Sequence, residues 1–156
     1  MSSKTVTIGL LFLIGALASI GATAHADNIN TSGVICRNVL ASEALDIGYV
    51  SNGVRNFNAA PRRVICSVPR SPLNQALFPL FLVSGTNFSG TTTCTVSVYT
   101  DLGNPGPSHS FTRGPGSWTQ GVAFSPIEVG AGDYVSVLCT LPGGGNGTLH
   151  GITSVQ

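Results

Sequence analysis

The sequence predicts an all-β fold: one antiparallel two-sheet sandwich, of jelly-roll or immunoglobulin-like topology, closed by two disulfides. Three observations carry that expectation. Short runs rich in β-branched and aromatic residues recur between clusters of Gly, Pro, Asn and Ser, and no long stretch holds a 3.6-residue apolar period. Two of the runs, Thr92 to Tyr99 and Tyr134 to Leu141, alternate apolar and polar side chains, which is the signature of a strand with one dry and one wet face. Each of those runs also carries a cysteine in its apolar phase.

The chain begins with a segment of a different kind. Lys4 is the only charge before an apolar run from about Val6 to Ile20, and Ala24-His25-Ala26 supplies a small-x-small site. This pattern predicts a secretory signal over residues 1–26, cleaved after Ala26, and one domain over 27–156 in a periplasmic or extracellular location. The apolar run is about fifteen residues, short of the roughly 20 that span a bilayer. The most apolar later stretch, Ala76 to Val83, is shorter still and contains Pro79, so no membrane span is expected in the mature chain.

Within the domain, Ser42 to Leu45 reads as one helical turn. The strands follow at Asp46 to Val50, Gly53 to Phe57, Arg63 to Val68, Leu77 to Val83, Thr92 to Tyr99, Ser108 to Arg113, Trp118 to Phe124, Tyr134 to Leu141 and Thr148 to Val155. Pro79 assigns its strand to a sheet edge or a bulge, because proline cannot donate to a ladder. Ser51-Asn52-Gly53, Gly103-Asn104-Pro105-Gly106-Pro107, Gly114-Pro115-Gly116, Gly130-Ala131-Gly132-Asp133 and Pro142 to Gly147 are the breakers between them. So many short strands around one core require two packed sheets.

Cys36, Cys66, Cys94 and Cys139 all follow the signal, and exported chains meet an oxidising compartment. Their wide spacing has no C-x-x-C, which argues against a zinc ribbon or a redox pair. Of the three pairings open to four cysteines, Cys36–Cys66 with Cys94–Cys139 is favoured, because each bridge then staples one half of the domain.

Charge is scarce and balanced. After the signal, Arg37, Arg55, Arg62, Arg63, Arg70 and Arg113 face Asp27, Glu43, Asp46, Asp101, Glu128 and Asp133, with no lysine. Such a surface lacks the concentrated positive charge that neutralises phosphates, so no nucleic-acid partner is expected. The absence of lysine also excludes Schiff-base and Ser-Lys chemistry from the domain. Five of the arginines precede position 71, an asymmetry that reads either as an anion-attracting patch or as solvated turns.

Cys36, the run Tyr49-Val50-Ser51-Asn52-Gly53-Val54-Arg55-Asn56, and Val64-Ile65-Cys66-Ser67-Val68-Pro69-Arg70 resemble the N-terminal half of a family of small secreted bacterial proteins of uncharacterised function. Tyr134-Val135-Ser136-Val137-Leu138-Cys139-Thr140-Leu141-Pro142, with its Gly-rich turn and last strand, is similar to that family's C-terminal half. The resemblance implies a β-sandwich and export, and supplies no catalytic residues.

For chemistry, His109 and His150 are the only histidines of the domain, and no G-x-S-x-G elbow accompanies them. No close His, Asp or Glu spacing marks a metal site, and the acids of the Asp101 to Asn104 and Gly132-Asp133 segments read as turn residues rather than calcium ligands. No catalytic residue, metal or cofactor is therefore expected. The candidate binding residues are aromatic: Tyr99, Tyr134 and Trp118 can stack on a sugar ring while neighbouring polar groups bond its hydroxyls. Tyr99 and Tyr134 lie in the outward phase of their strands, whereas Trp118 shares its phase with Val122 and Phe124 and reads as core. The functional expectation is a non-enzymatic surface binder of a glycan or an envelope protein, or an envelope structural component. A small secreted hydrolase is the alternative, and a long unpaired edge at Leu77 to Val83 would be the mark of an assembly subunit.

Overall fold

A computed structural model describes residues 28–70, 79–130 and 132–155. The signal segment and the first residues of the strand expected at Leu77 lie outside the described residues. The strands are β1 (Asn28–Ser32), β2 (Arg37–Asn38), β3 (Ile47–Val50), β4 (Gly53–Asn56), β5 (Arg62–Val68), β6 (Leu80–Asn87), β7 (Thr92–Tyr99), β8 (Pro105–Arg113), β9 (Gly116–Ala123), β10 (Tyr134–Leu141) and β11 (Gly147–Val155). Short 3-10 turns at Gly33–Ile35 and Ala41–Glu43 are the helical elements among the described residues, the second one residue ahead of the turn expected at Ser42.

One sheet runs β3-β4-β11-β6-β9, with β1 also pairing β11, and the other runs β2-β5-β10-β7-β8. Every pairing is antiparallel. The eight strands from β4 onward divide as β4-β11-β6-β9 and β5-β10-β7-β8, so each sheet interleaves strands from both ends of the chain. This is the jelly-roll order, and it settles the choice between the two expected topologies. From β4 onward consecutive strands change sheet except at the Thr100–Asn104 turn between β7 and β8, and the β3–β4 hairpin ahead of them also lies within one sheet.

The core lies between the sheets and follows from alternation. Val64, Cys66 and Val68 of β5, Cys94, Val96 and Val98 of β7, and Val135, Val137, Cys139 and Leu141 of β10 point inward from one sheet. Val54, Phe81, Val83, Leu149 and Ile152 point inward from the other. Phe124 closes the layer with its ring edge-on to Phe81, 5.9 Å between centroids. Both expected disulfides are present, Cys36–Cys66 and Cys94–Cys139, each with Cα atoms 4.1 Å apart. Cys94 and Cys139 are directly opposed in the β7/β10 register, so their common apolar phase brings the two sulfurs together inside the core.

Two buried asparagines close the ends of the sandwich. Asn56, the last residue of β4, donates through Nδ2 to the carbonyls of Ala60, Leu141 and Pro142, and accepts from the Asn58 amide on Oδ1. Asn87, the last residue of β6, donates to the carbonyls of Arg113 and Gly114 and accepts from the Thr92 hydroxyl. Each falls in the inward phase of its strand, where a crossing connection leaves carbonyls that the ladder cannot satisfy.

The strand containing Pro79 departs from expectation. β6 starts at Leu80, immediately after the proline, and is paired on both sides, by β11 and β9. Pro79 lies outside the ladder, where its missing N–H removes no sheet bond, and its carbonyl accepts from the Phe124 amide at 3.0 Å. The unpaired edge at Leu77 to Val83 that would mark an assembly subunit is thus not formed by the described residues 79–83. The prolines that do sit in a ladder, Pro105 and Pro107, are on β8 at the edge of its sheet.

Candidate binding surface

The register of the β2-β5-β10-β7-β8 sheet determines what its outer face presents. Reading across strands, Ser67, Ser136, Ser97 and Ser108 stand in one row. The next row is Ile65, Leu138, Thr95 and Ser110, and the one beyond it is Arg63, Thr140, Thr93 and Thr112. Adjacent strands are about 4.8 Å apart and alternate residues of one strand about 7 Å apart, so these rows make a field roughly 14 Å by 14 Å. Its hydroxyls also bond one another: Thr93 to Thr112 at 3.0 Å and Thr95 to Ser110 at 2.7 Å. No carboxylate stands in these rows.

Tyr134 and Tyr99 form the row beyond the serines. Their rings stack on each other with centroids 5.2 Å apart and planes 10° from parallel, and Tyr134 is 47% exposed. Cross-strand stacking fixes both rings upright on the sheet, which removes rotamer freedom before any ligand arrives. A Cβ built on Gly103 would lie 3.6 Å from the Tyr134 hydroxyl, so the Thr100–Asn104 turn borders the pair. The Gly130–Asp133 turn lies alongside it, with a Cβ on Gly132 falling 3.5 Å from that of Asp101. Exposed Asp101 and Asn104 therefore supply polar groups at the rim of the tyrosine pair.

Trp118 is placed elsewhere. It sits on β9 opposite Gly85 in the inward phase, packed against the core and edge-on to Phe111 at 6.1 Å. Its ring lies over Gly85 so closely that a Cβ there would collide with Cζ2. The indole N–H is buried and unbonded among the described residues, so it does not face the tyrosine surface.

The histidines are not brought together. His109 is on edge strand β8, its ring 4.8 Å from that of Phe124, while His150 is on β11 in the other sheet. Among the described residues no three His, Cys, Asp or Glu side chains gather as a metal site would require. The arginines are dispersed as well. Arg62 pairs with Asp46 at 2.6 Å, Arg70 donates to the Gly130 and Asp133 carbonyls, and Arg55 lies on the opposite sheet. The expected alternative of an N-terminal arginine patch gives way to separate turn and strand contacts.

The Arg62 guanidinium, followed by the Asn58 amide, holds the Asp46 carboxyl below the usual carboxylate range. Glu128 is lowered too, by its bonds to Ser125, and fixes the turn after β9. Both acids serve loop structure.

No family model matches this chain. No curated protein matches it either. Among solved structures it is similar to the CBM36-1 domain of a multidomain xylanase from the hindgut metagenome of Trinervitermes trinervoides, with 9% identity over 82% of this chain and 96% of that one and a TM-score of 0.48. It is also similar to CBM35 from Paenibacillus barcinonensis, at 12% identity over 83% and 98% of the two chains and a TM-score of 0.47. The C-terminal CBM6 of the laminarinase LamC from Zobellia galactanivorans gives 13% identity, 83% and 100% coverage, and a TM-score of 0.44.

Proposed function

We propose that this domain is exported and acts without catalysis, binding a neutral glycan on the outer face of the β2-β5-β10-β7-β8 sheet. The observation that carries this reading is the stacked Tyr99–Tyr134 pair standing next to a row of four serines. A sugar ring offers an apolar C–H face and a rim of hydroxyls. The half-exposed Tyr134 ring matches the first, while Ser67, Ser136 and Ser97 together with Asp101 and Asn104 match the second. The serine row beside the tyrosines carries no charge, Arg63 stands two rows away and the Asp101 carboxylate at the rim repels an anion, which together favour an uncharged ligand, and the fixed rings lower the entropy cost of binding.

The test is a glycan array followed by calorimetry on the best neutral ligand. Tyr134→Ala is expected to weaken binding by about tenfold or more, a loss of about 1.4 kcal/mol, with Trp118→Phe unchanged. A protein that retains no neutral glycan, or a Tyr134→Ala variant of undiminished affinity, would refute the proposal. Export is tested separately by intact mass of the secreted product, which should begin at Asp27.

A further inference from the structure

The opposite sheet carries a second constellation. In the β3-β4-β11-β6-β9 sheet, Gly48, Arg55, Thr148, Thr86 and Ser117 form one outward row. The Phe57 ring folds back over Gly48, filling the space a Cβ would need. The Phe88 ring centroid lies 5.4 Å from the Arg55 guanidinium carbon. Phe57 and Phe88 are 55% and 65% exposed, respectively, so one ring against the guanidinium and a second near the Arg55 stem at Gly145 are open to water.

Arg55 is held in place. Its Nε donates to the Thr148 hydroxyl at 2.7 Å, and its stem rests near Gly145, whose φ of +75° suits the left-handed region glycine tolerates. With Nε engaged, the two terminal nitrogens remain as a planar fork. Among the described residues Arg55 has no carboxylate partner. The nearest acids in sequence, Glu43 and Asp46, are turned to Arg62 instead. His150 stands two residues beyond Thr148, at the bulge where the β11/β6 register shifts between Leu149 and Gly151. Burial, and then the Arg55 charge, hold its imidazole below the ordinary histidine value. The backbone that approaches it closely belongs to Gly53 of β4 and Gly33 of the first 3-10 turn, and neither carries a charge. Arg55 is thus an uncompensated cation with a second, titratable one beside it.

We infer that this face is a binding site for an acidic sugar, a uronate whose carboxylate docks on the Arg55 fork while its ring rests against Phe88 and Phe57. A guanidinium fork matches the two oxygens of a carboxylate in one plane, and the exposed rings match the apolar face of a pyranose. His150 tunes the site: a bound anion favours its protonated form, so binding tightens as pH falls through the imidazole's depressed pKa. This site is on the other side of the sandwich from the tyrosine pair and does not depend on it.

The test is calorimetry and NMR titration of the protein with three probes: a short oligouronate, a sulfated oligosaccharide of similar length and a neutral one. The oligouronate is expected to bind best, to tighten between pH 7 and pH 5, and to raise the His150 pKa. Arg55→Ala should weaken it at least tenfold and Arg55→Lys severalfold, since lysine keeps the charge but loses the fork. Phe88→Ala should also weaken it, and Tyr134→Ala should leave it unchanged. Circular dichroism and the urea midpoint verify that each variant folds. A sulfated probe binding more tightly than the oligouronate would overturn the carboxylate assignment. Equal affinity of Arg55→Ala and the parent, or no oligouronate binding at millimolar concentration, would overturn the site itself.

Discussion

Cys94 and Cys139 oppose each other across the central β7/β10 pair, both are fully buried, and the bridge closes 45 residues of chain. Replacing both by alanine tests whether that bridge stabilises by restricting the unfolded chain. The loop-closure relation gives an entropy near −13 cal/mol/K for a loop of this length, or about 4 kcal/mol at 25 °C. Losing two buried sulfurs costs about 1 kcal/mol more in packing, for a total of about 5 kcal/mol. The assay is equilibrium urea unfolding of the parent and the Cys94→Ala/Cys139→Ala variant under non-reducing conditions. The midpoint should fall sharply and the slope m should rise, because the uncrosslinked denatured chain exposes more surface. The Cys36–Cys66 bridge closes 30 residues, and its removal should cost slightly less entropy. A loss under about 1 kcal/mol for the Cys94/Cys139 pair, with m unchanged, would refute the reasoning.

Asn56→Ala leaves the carbonyls of Ala60, Leu141 and Pro142 without their shared donor, and should lower unfolding stability by about 2–3 kcal/mol in the same assay. Gly85→Val forces the Trp118 ring off its seat, so a Trp fluorescence red shift should accompany a loss of about 2 kcal/mol or more. Asp46 titrates below its unfolded value, so the stability it contributes is full above about pH 4 and is lost as pH falls through the depressed folded value. Urea midpoints from pH 6 to pH 2.5 should show this loss, and Arg62→Ala should flatten it.

Phase along a strand was legible in the sequence, and partners across strands were not. Thr92 to Tyr99 and Tyr134 to Leu141 match β7 and β10 end to end, because a period-two pattern needs no information from elsewhere in the chain. The same pattern put Tyr99 and Tyr134 outward and Trp118 inward, as observed. What it left open is that the two tyrosines are neighbours, which depends on β7 and β10 pairing at a sequence separation of 35. The strand after Pro79 was misjudged for a related reason: proline's penalty applies only inside a ladder, and where the ladder begins is set by β11 and β9. β1 and β2 were missed because Asn28–Ser32 alternates only weakly and Arg37–Asn38 is two residues long.

The serine row makes the same point at the level of function. Ser67, Ser136, Ser97 and Ser108 come from four separate strands and share no motif; each one alone is an ordinary polar residue on a wet face. They become a surface only because jelly-roll order interleaves β5 and β7 with a strand from the far end of the chain. Arg55 follows this logic on the other side, where β4 and β11 join across the sheet to set the guanidinium against the Thr148 hydroxyl. In a two-sheet fold the inward phase is spent on the core, so any recognition chemistry must be assembled from outward residues by register. The rule explains why a local reading of this chain finds structure readily and ligand chemistry only once the strands are paired.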